Sequence, residues 1–328
     1  MSSQTTLPAD VLAITWEDHR RMNELCDWLG LPLTVLRSSS RGARRYAELT
    51  LATIRFLRTH RPAAVLLQNP SLILALLVLF ARPFMGRYRV VMDAHNEAIT
   101  PFTYDFWPIT WLSRVAQRRA DTTVVTNEAL AKVVRENGGQ PLIVPDRLPT
   151  PPVSSNRLSC PEQLSVMVVA TFAADEPIGA IFGAARLLGA EFSFAVTGNS
   201  RKLAPDLRTS MPANVRLTGF LPEHDYWQLM ADCHVVLDLT LKPDCLVCGA
   251  YEALSLSKPM VLSGNGASRD LFGGFAVFPE NSDEGSIAVA LRKTLAEYDT
   301  IRDLTEQGRP AFAKRWLVAA QSLRAALN

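Results

Sequence analysis

Residues 235–263 read VVLDLTLKPDCLVCGAYEALSLSKPMVLS, two apolar runs separated by a polar interval that contains a glycine. This order predicts a strand, a loop, a helix and a second strand. Two acidic residues lie eight positions apart in the interval, Asp244 in the loop and Glu252 in the first turns of the helix. In an open α/β sheet, ligands bind beyond the carboxyl ends of the strands, where helix N-termini offer N–H groups to anions. Because carboxylates accept hydrogen bonds from sugar hydroxyls, the spacing predicts a site for a phosphorylated sugar compound.

The same alternation extends over the whole chain. Strand-like runs begin at Val11, Leu33, Ala64, Val90 and Thr122 in the first half, and at Ser165, Phe192, Val215, Val235, Met260 and Ala276 in the second. Stretches with helical spacing lie between them, which is typical of βαβ units and a parallel sheet. We therefore expect an α/β protein with two Rossmann-like, doubly wound domains that face a cleft.

A segment rich in proline and serine, residues 145–161, interrupts this pattern and predicts a domain boundary. A chain of 328 residues also exceeds what one hydrophobic core usually supports. We place the first domain at residues 1–150 and the second at residues 151–308. The helical pattern at residues 309–328 has no strand after it, and we expect this helix to pack back on the first domain.

Composition and charge argue against several classes of protein, including nucleic-acid-binding and disulfide-rich secreted proteins. The net charge of +2 gives no electrostatic basis for binding nucleic acid, although residues 1–150 hold 18 basic and 13 acidic residues. The five cysteines are scattered and odd in number, unlike a disulfide framework. No secretory signal is visible in residues 1–10, so a cytoplasmic location is expected. The pair Cys245 and Cys248 has the spacing of a metal or redox motif, but no second pair accompanies it.

Several features together resemble one family of sugar-transferring enzymes. The segment NVRLTGFL, residues 214–221, precedes YWQLMADC, residues 226–233, and the acidic pair follows. With the twin Rossmann-like pattern, these features resemble the GT-B glycosyltransferases, and specifically the retaining glycosyltransferase family 4, which carries two glutamates at the positions of Asp244 and Glu252. The resemblance covers about residues 165–300 in detail and the first half only in its fold pattern.

The resemblance implies a role for each part of this segment. Asp244 would contact hydroxyls of the donor sugar, and Glu252 would accept hydrogen bonds from the ribose of the nucleotide. The donor would be a nucleoside-diphosphate sugar bound by the second domain, and the sugar would be transferred with retention, without a cofactor or a metal ion. The further donor contacts that we expect are Thr171, Gly198, Lys242, Leu246, Val247, Cys248 and Gly264.

One departure from the family concerns the leaving group. The family usually has an arginine and a lysine in the loop after the first strand of the nucleotide domain, where they neutralise the diphosphate. Here that loop, residues 170–177, reads ATFAADEP and holds no cation. Losing a charged donor at a leaving group costs several kcal/mol of transition-state stabilisation, so another group must replace it. Lys242 is our first choice, ahead of Arg201, Lys202 and Arg269.

In the first half, the informative stretch is MDAHNE, residues 92–97, directly after a predicted strand. Related enzymes place a histidine near this position against the donor, so we assign His95 to the site, with a purely structural histidine as the alternative. Asp93 and Asn96 would position an acceptor hydroxyl or fix the imidazole tautomer. The loop after the first strand adds Glu17, Asp18 and His19 as acceptor-binding candidates.

A lipid-linked or polysaccharide acceptor is expected from three features of the first half. These are its excess of arginine, the apolar segment at residues 72–84, and the aromatic segment at residues 102–111. The apolar run is too short to span a bilayer but fits the surface of an anionic membrane, with Arg114, Arg118 and Arg119 at lipid phosphates. The alternative is that the apolar segment is a buried helix and that the aromatic residues fill the core.

Three alternatives to a glycosyltransferase stay open. A non-catalytic protein that binds nucleotide sugars as a scaffold is favoured by the missing cations. A sugar-nucleotide epimerase or a phosphorylase on the same fold would act without the expected acceptor chemistry, although no lysine-cofactor motif of a phosphorylase is visible. Finally, the two carboxylates would have no ligand at all if they only cap and solvate the start of the helix.

Overall fold

The structure is a computed structural model that describes residues 7–69, 71–99, 107–154, 158–160 and 162–328. The chain divides into two compact units. The first contains Met1–Arg147 and Arg315–Asn328, and the second contains Leu148–Lys314. The sequence placed these boundaries at residues 150 and 308, so the structure moves the second one six residues further along the chain.

The first unit is built on a parallel sheet of six strands in the order β2-β1-β3-β4-β5-β6. The strands are β1 (Val11–Thr15), β2 (Leu33–Val35), β3 (Ala64–Asn69), β4 (Arg89–Ala94), β5 (Thr122–Val125) and β6 (Pro141–Ile143). Register pairs Gln68 with Asp93 across β3 and β4, which brings polar residues together at the carboxyl ends of neighbouring strands.

Helices cover this sheet. They are α1 (Arg20–Leu29), α2 (Gly42–His60), α3 (Leu72–Met85), α4 (Asn96–Ile99), α5 (Trp107–Arg119) and α6 (Glu128–Glu136). One apolar cluster packs residues of α2, α3, α5 and α6 against β3 and β4. A second cluster packs α1 and the last turns of the C-terminal helix, including Trp316 and Leu323, against β1 and β3. The end of the chain therefore belongs to the core of the first unit.

The second unit has a parallel sheet of six strands in the order β12-β11-β10-β7-β8-β9. The strands are β7 (Leu164–Val168), β8 (Phe192–Thr197), β9 (Val215–Gly219), β10 (Val235–Asp238), β11 (Met260–Leu262) and β12 (Ala276–Val277). The order reverses direction at β7 and β10, where β7 pairs with β8 on one side and β10 on the other. This switch point is where ligands bind in open α/β sheets.

The helices of the second unit complete its two faces. They are α7 (Ile178–Leu188), α8 (Pro205–Thr209), α9 (Glu223–Asp232), α10 (Cys248–Ser255), α11 (Gly266–Phe272), α12 (Glu284–Ala296) and α13 (Tyr298–Leu327), with short 3₁₀ turns at Gly189–Glu191 and Ser200–Lys202. One face packs α7 and α12, and the other packs α9, α10 and α11. The helix α13 continues into the first unit.

The structure confirms the predicted α/β class, with one six-stranded parallel sheet in each unit. All eleven predicted strand-like runs form strands, and β6 is an additional strand that the sequence did not predict. It begins at Pro141 and has three residues, so it gives almost no periodic signal. The final helix begins at Tyr298, upstream of residue 309 where we expected it to start, and it contains Pro310.

The apolar segment at residues 72–84 forms most of α3, whose inner face is buried in the core as the alternative interpretation expected. Within the residues that the structure describes, no helix has the length and hydropathy required to cross a bilayer.

Candidate functional site

At the switch point of the second unit, hydrogen bonds connect the loops that follow β7, β10 and β11. The hydroxyl of Thr240 donates to the Asp175 carboxylate at 2.7 Å, and the N–H of Leu241 donates to the Asp175 carbonyl at 2.7 Å. The N–H of Thr240 also donates to the hydroxyl of Ser263, 2.8 Å away. These bonds fix the geometry of the edge on which the acidic pair is placed.

The N-terminus of α10 lies over a buried carboxylate. The N–H of Gly249 donates to Oδ2 of Asp238, the last residue of β10, at 2.9 Å. A methyl group on Gly249 would lie 2.4 Å from the same oxygen, so only glycine permits this approach. Burial raises the pKa of Asp238 to about 8, although the N–H bond opposes that shift. Asp238 is therefore largely protonated at pH 7, which leaves the helix N-terminus more attractive to an anion.

Glu252 lies one turn into α10 and is held by a tyrosine of α9. The hydroxyl of Tyr226 donates to Oε2 of Glu252 at 2.6 Å. Burial, followed by the charge of Glu252, raises the pKa of Tyr226, so the phenol stays a neutral donor. One face of the Glu252 carboxylate is thus fixed, and a carboxylate has further lone pairs with which to accept ligand hydroxyls.

Asp244 lies in the loop between β10 and α10 with a left-handed backbone, at φ 52°. Its Oδ1 is 3.5 Å from the position that a Cβ on Gly266, the first residue of α11, would occupy. Asn265 caps α11 by accepting from the N–H of Ser268, and its amide donates to the carbonyl of Cys245 at 3.0 Å. The loop that carries Asp244 is therefore held against the N-terminus of a second helix.

In the loop after β7, the Glu176 side chain accepts hydrogen bonds from the backbone of the same loop. Glu176 accepts from the N–H groups of Thr171 and Phe172, and Phe172 has a left-handed backbone at φ 58°. Gly198, after β8, has φ +99°, and a Cβ there would lie 2.1 Å from the carbonyl of Ala170. Gly198 thus lies against the residue that precedes Thr171, and the assignment of Thr171 and Gly198 to the donor site stays a prediction.

Two cations stand near these loops. The ammonium of Lys242 lies 3.6 Å from Asp175, and its side chain is 43% exposed. Arg269 donates from Nε to the carbonyl of Gly264 at 2.9 Å and lies over the ring of Phe278. Both side chains contact protein groups, but both remain at least partly exposed to solvent and could also contact a ligand. The 3₁₀ turn with Arg201 and Lys202 is exposed, and Asn199 caps it.

In the first unit, an ion-pair network joins α1, the end of β4 and the segment after β6. Arg21 is buried and donates to Asp93 at 2.9 Å and to Asp146 at 2.6 Å. Burial alone would lower the pKa of Arg21, but the two carboxylates outweigh it and raise the pKa. Asp93 has no exposed surface. The burial of its carboxylate is unfavourable for direct contact with an acceptor hydroxyl. The other alternative, that Asp93 orients the imidazole of His95, stays a prediction, with 3.9 Å between Oδ2 of Asp93 and Nε2 of His95.

His95 follows β4 and is only partly buried. Its Nε2 is 3.4 Å from the side-chain nitrogen of Gln68, whose oxygen accepts from the hydroxyl of Thr15. The ring of His19 lies 4.6 Å from that of His95. Burial, and then the neighbouring His95, lower the pKa of His19. The structure thus brings together two of the predicted site residues, with imidazole nitrogens suited to hydrogen-bonding a polar ligand.

The other acceptor candidates, Glu17, Asp18 and Asn96, follow the carboxyl ends of β1 and β4. Glu17 and Asp18 are exposed and form ion pairs with Arg45 and Arg37, at 3.1 Å and 3.4 Å. Asn96 begins the short helix α4. Their assignment to the acceptor stays a prediction.

Cys245 is partly buried and Cys248 is exposed, and the described residues contain no cluster of three or more metal-binding side chains. Two surface cavities of the second unit, of about 470 and 690 Å³, lie elsewhere, one along β7, β8 and β9 and the other between α11 and α12. Neither is lined by Asp244 or Glu252.

Solved structures share the fold of this chain. HepE from Anabaena, in complex with UDP and glucose, has a TM-score of 0.73 at 13% identity over 97% of this chain and 91% of that chain. Sucrose-phosphate synthase from Thermosynechococcus elongatus has a TM-score of 0.76 at 12% identity over 95% and 97% of the two chains. The chain has the GT-B fold.

The same fold also occurs in a protein of another class. A putative UDP-N-acetylglucosamine 2-epimerase from Listeria monocytogenes has a TM-score of 0.66 at 12% identity over 98% of this chain and 96% of that chain. No model of a known protein family matches this sequence. A comparison of the sequence with curated proteins also finds no match. At these identities the likeness extends to the fold, and the site must decide the function.

Three residues of these sites were missed by the sequence analysis. They are Tyr226, Asp238 and Arg21. An acidic residue that ends a buried strand, directly before the loop of the acidic pair, is a signal that would have found Asp238. No such signal exists for Tyr226 or Arg21, whose partners are 26 and 72 residues away.

Proposed function

We propose that the protein is a glycosyltransferase that moves a sugar from a nucleoside-diphosphate sugar to an acceptor hydroxyl. The observation that carries this proposal is the position of Asp244 and Glu252 around the N-terminus of α10, at the switch point of the second unit. Helix N–H groups suit the diphosphate, and oriented carboxylates suit the sugar and ribose hydroxyls. Complexes of HepE with UDP and with UDP-glucose make a uridine nucleotide the first donor to test.

In the proposed reaction, the bond between the anomeric carbon and the diphosphate oxygen breaks, and a bond to the acceptor oxygen forms. The departing phosphate oxygen takes the proton of the acceptor hydroxyl on the same face, so that the configuration is retained. The N–H groups of Leu246, Val247 and Cys248, with Lys242 or Arg269, would bind the diphosphate. No metal or cofactor is part of the proposal.

The acceptor is proposed to be a lipid-linked or polysaccharide glycan, reached in the cytoplasm at the inner face of a membrane. In the first unit, His95 and His19 would contact the reacting sugars. The support for a lipid-linked acceptor is the apolar and basic surface of α3 and α5, described below.

The test is a panel of nucleotide sugars with release of nucleoside diphosphate as the readout, with and without glycan acceptors and with a chelator in one arm. We expect turnover of one donor, and its loss in Asp244→Asn and Glu252→Gln. Glu223→Gln, an exposed glutamate at the start of α9, is the matched control and should keep full activity. NMR of the product would show whether the anomeric configuration is retained.

The second candidate is a non-catalytic scaffold that binds nucleotide sugars. It is favoured by one observation, the pairing of Lys242 with Asp175 beside a loop that holds no cation. Tight binding of a nucleotide sugar with no turnover of any donor would support the scaffold. Conversion of the donor to an epimer without an acceptor would instead support an epimerase.

A further inference from the structure

Within the part of the chain that the structure describes, helix α3 is apolar on two faces, of which one is buried and the other is exposed. Leu74, Ala75, Val78 and Leu79 are buried in the core of the first unit. Ile73, Phe80 and Phe84 are exposed, and Phe84 is 86% exposed. Their spacing of seven and four residues places them on one side of the helix. A soluble helix normally carries polar side chains on such a face, so this one is unusual.

The neighbouring helix α5 has an exposed face of mixed character. Trp107 is 76% exposed and Trp111 is 57% exposed. Arg114 and Arg118 continue the same face at spacings of three and four residues, and both are exposed. Of the predicted aromatic segment, residues 102–106 lie outside the described residues. For Trp107 and Trp111, the expectation that the aromatic residues fill the core is wrong.

The two faces join into one surface. The guanidinium of Arg119, at the end of α5, lies over the ring of Phe80 in α3 at 5.2 Å. We call this the aromatic-arginine surface, formed by Ile73, Phe80, Phe84, Trp107, Trp111, Arg114, Arg118 and Arg119. The sequences of α3 and α5 contain four arginines and neither Asp nor Glu. Arg82 pairs with Asp121, so its charge is neutralised within the protein.

We propose that the aromatic-arginine surface binds the headgroup region of an anionic bilayer. Tryptophan is favoured at the boundary between water and hydrocarbon, and arginine reaches lipid phosphates from the same depth. A second copy of this chain fits less well. A two-fold interface would place the arginines of one copy against those of the other, with no carboxylate in either helix to offset the repulsion.

This inference goes beyond the proposed sugar transfer, because membrane binding requires neither donor nor turnover. It also gives the transfer a location, since a protein held at the bilayer meets lipid-linked acceptors at high local concentration. Sugar transfer and membrane binding can be tested independently, because nucleotide binding is measured without lipid and vesicle binding is measured without nucleotide.

The test is flotation of the full chain with vesicles of phosphatidylcholine alone or with one part in three of phosphatidylglycerol, at low and high salt. We expect binding to the anionic vesicles only, and its weakening at high salt. The tryptophan emission should shift to shorter wavelength on binding. Trp107→Ser with Trp111→Ser should abolish binding, and Arg114→Gln with Arg118→Gln should weaken it about fivefold for each charge.

The matched controls lie in the second unit. Phe220→Ser removes an aromatic side chain that is 84% exposed, and Arg216→Gln with Lys293→Gln removes two exposed charges. Both controls should bind vesicles as the unchanged protein does. The proposal is overturned if no vesicle binds, if neutral and anionic vesicles bind equally, or if the controls weaken binding as much as the surface variants. Loss of a dimer in the tryptophan variant, without vesicle binding, would assign the surface to a second copy instead.

Discussion

The hydroxyl of Tyr226 donates to Oε2 of Glu252 at 2.6 Å, across the interface between α9 and α10. This bond fixes the rotamer of the carboxylate that we assign to the ribose. Glu252 therefore depends on a residue that contacts no ligand in the proposed complex. Tyr226 is a positioning residue, and its removal should affect nucleotide binding more than folding.

Tyr226→Phe deletes the hydroxyl and keeps the ring. We expect the KM for the donor to rise about threefold to tenfold, the range of one hydrogen bond, with kcat unchanged. Tyr298→Phe, a buried tyrosine of the same unit next to His234, is the control and should leave KM unchanged. If both variants lower stability equally and neither changes KM, Tyr226 is only a packing residue.

Asp238 makes stability depend on pH. Its folded pKa of about 8 lies above the ordinary carboxyl value, so the folded state binds more protons between about pH 4 and pH 8. The contribution of this group is therefore fully present below pH 4 and is lost as pH rises towards 8. The variant Asp238→Asn cannot ionise at this position and does not lose this contribution. The difference between its Tm and that of the unchanged protein should therefore increase from pH 5 to pH 8. Parallel Tm curves over this range would show that Asp238 is ionised in the folded protein.

Gly249 and Gly179 are both helical glycines but differ in the space around them. A Cβ on Gly249 would lie 2.4 Å from Asp238, whereas one on Gly179 would make an ordinary 3.6 Å contact with Leu207. Gly249→Ala should cost about 1–3 kcal/mol in unfolding free energy and weaken nucleotide binding, because α10 must shift. Gly179→Ala should be neutral or stabilising by up to about 1 kcal/mol. Equal effects in urea unfolding would contradict the close approach.

Arg21 and Arg20 are neighbours in sequence with opposite environments. Arg21 is buried between Asp93 and Asp146, while Arg20 is 55% exposed beside Glu24. Arg21→Met leaves the buried carboxylate of Asp93 without this partner and should cost about 3–5 kcal/mol. Arg20→Met should cost at most about 1 kcal/mol. Urea unfolding followed by tryptophan fluorescence measures the unfolding free energy of both variants. Similar unfolding midpoints for the two variants would show that the Arg21 network does not stabilise the fold.

The strands of the fold were predictable because most of them are continuous apolar runs, which parallel sheets require on both faces. Asp244 and Glu252 were predictable as a pair because they flank the start of one helix. The Arg21 network was not, since it joins α1, β4 and the segment after β6 through side chains. The burial of Asp93 was not predictable for the same reason, because a carboxylate at a strand end looks alike in sequence whether it faces solvent or a buried arginine.

Calorimetric titration of a nucleoside diphosphate and of its sugar conjugate into matched variants tests the central claim most directly. Glu252→Gln should weaken both ligands about tenfold or more, because the ribose is common to them. Asp244→Asn should weaken only the sugar conjugate, and Glu223→Gln neither. If Glu252→Gln and Asp244→Asn bind both ligands as tightly as the unchanged protein, these two carboxylates do not hold an activated sugar, and the account is wrong.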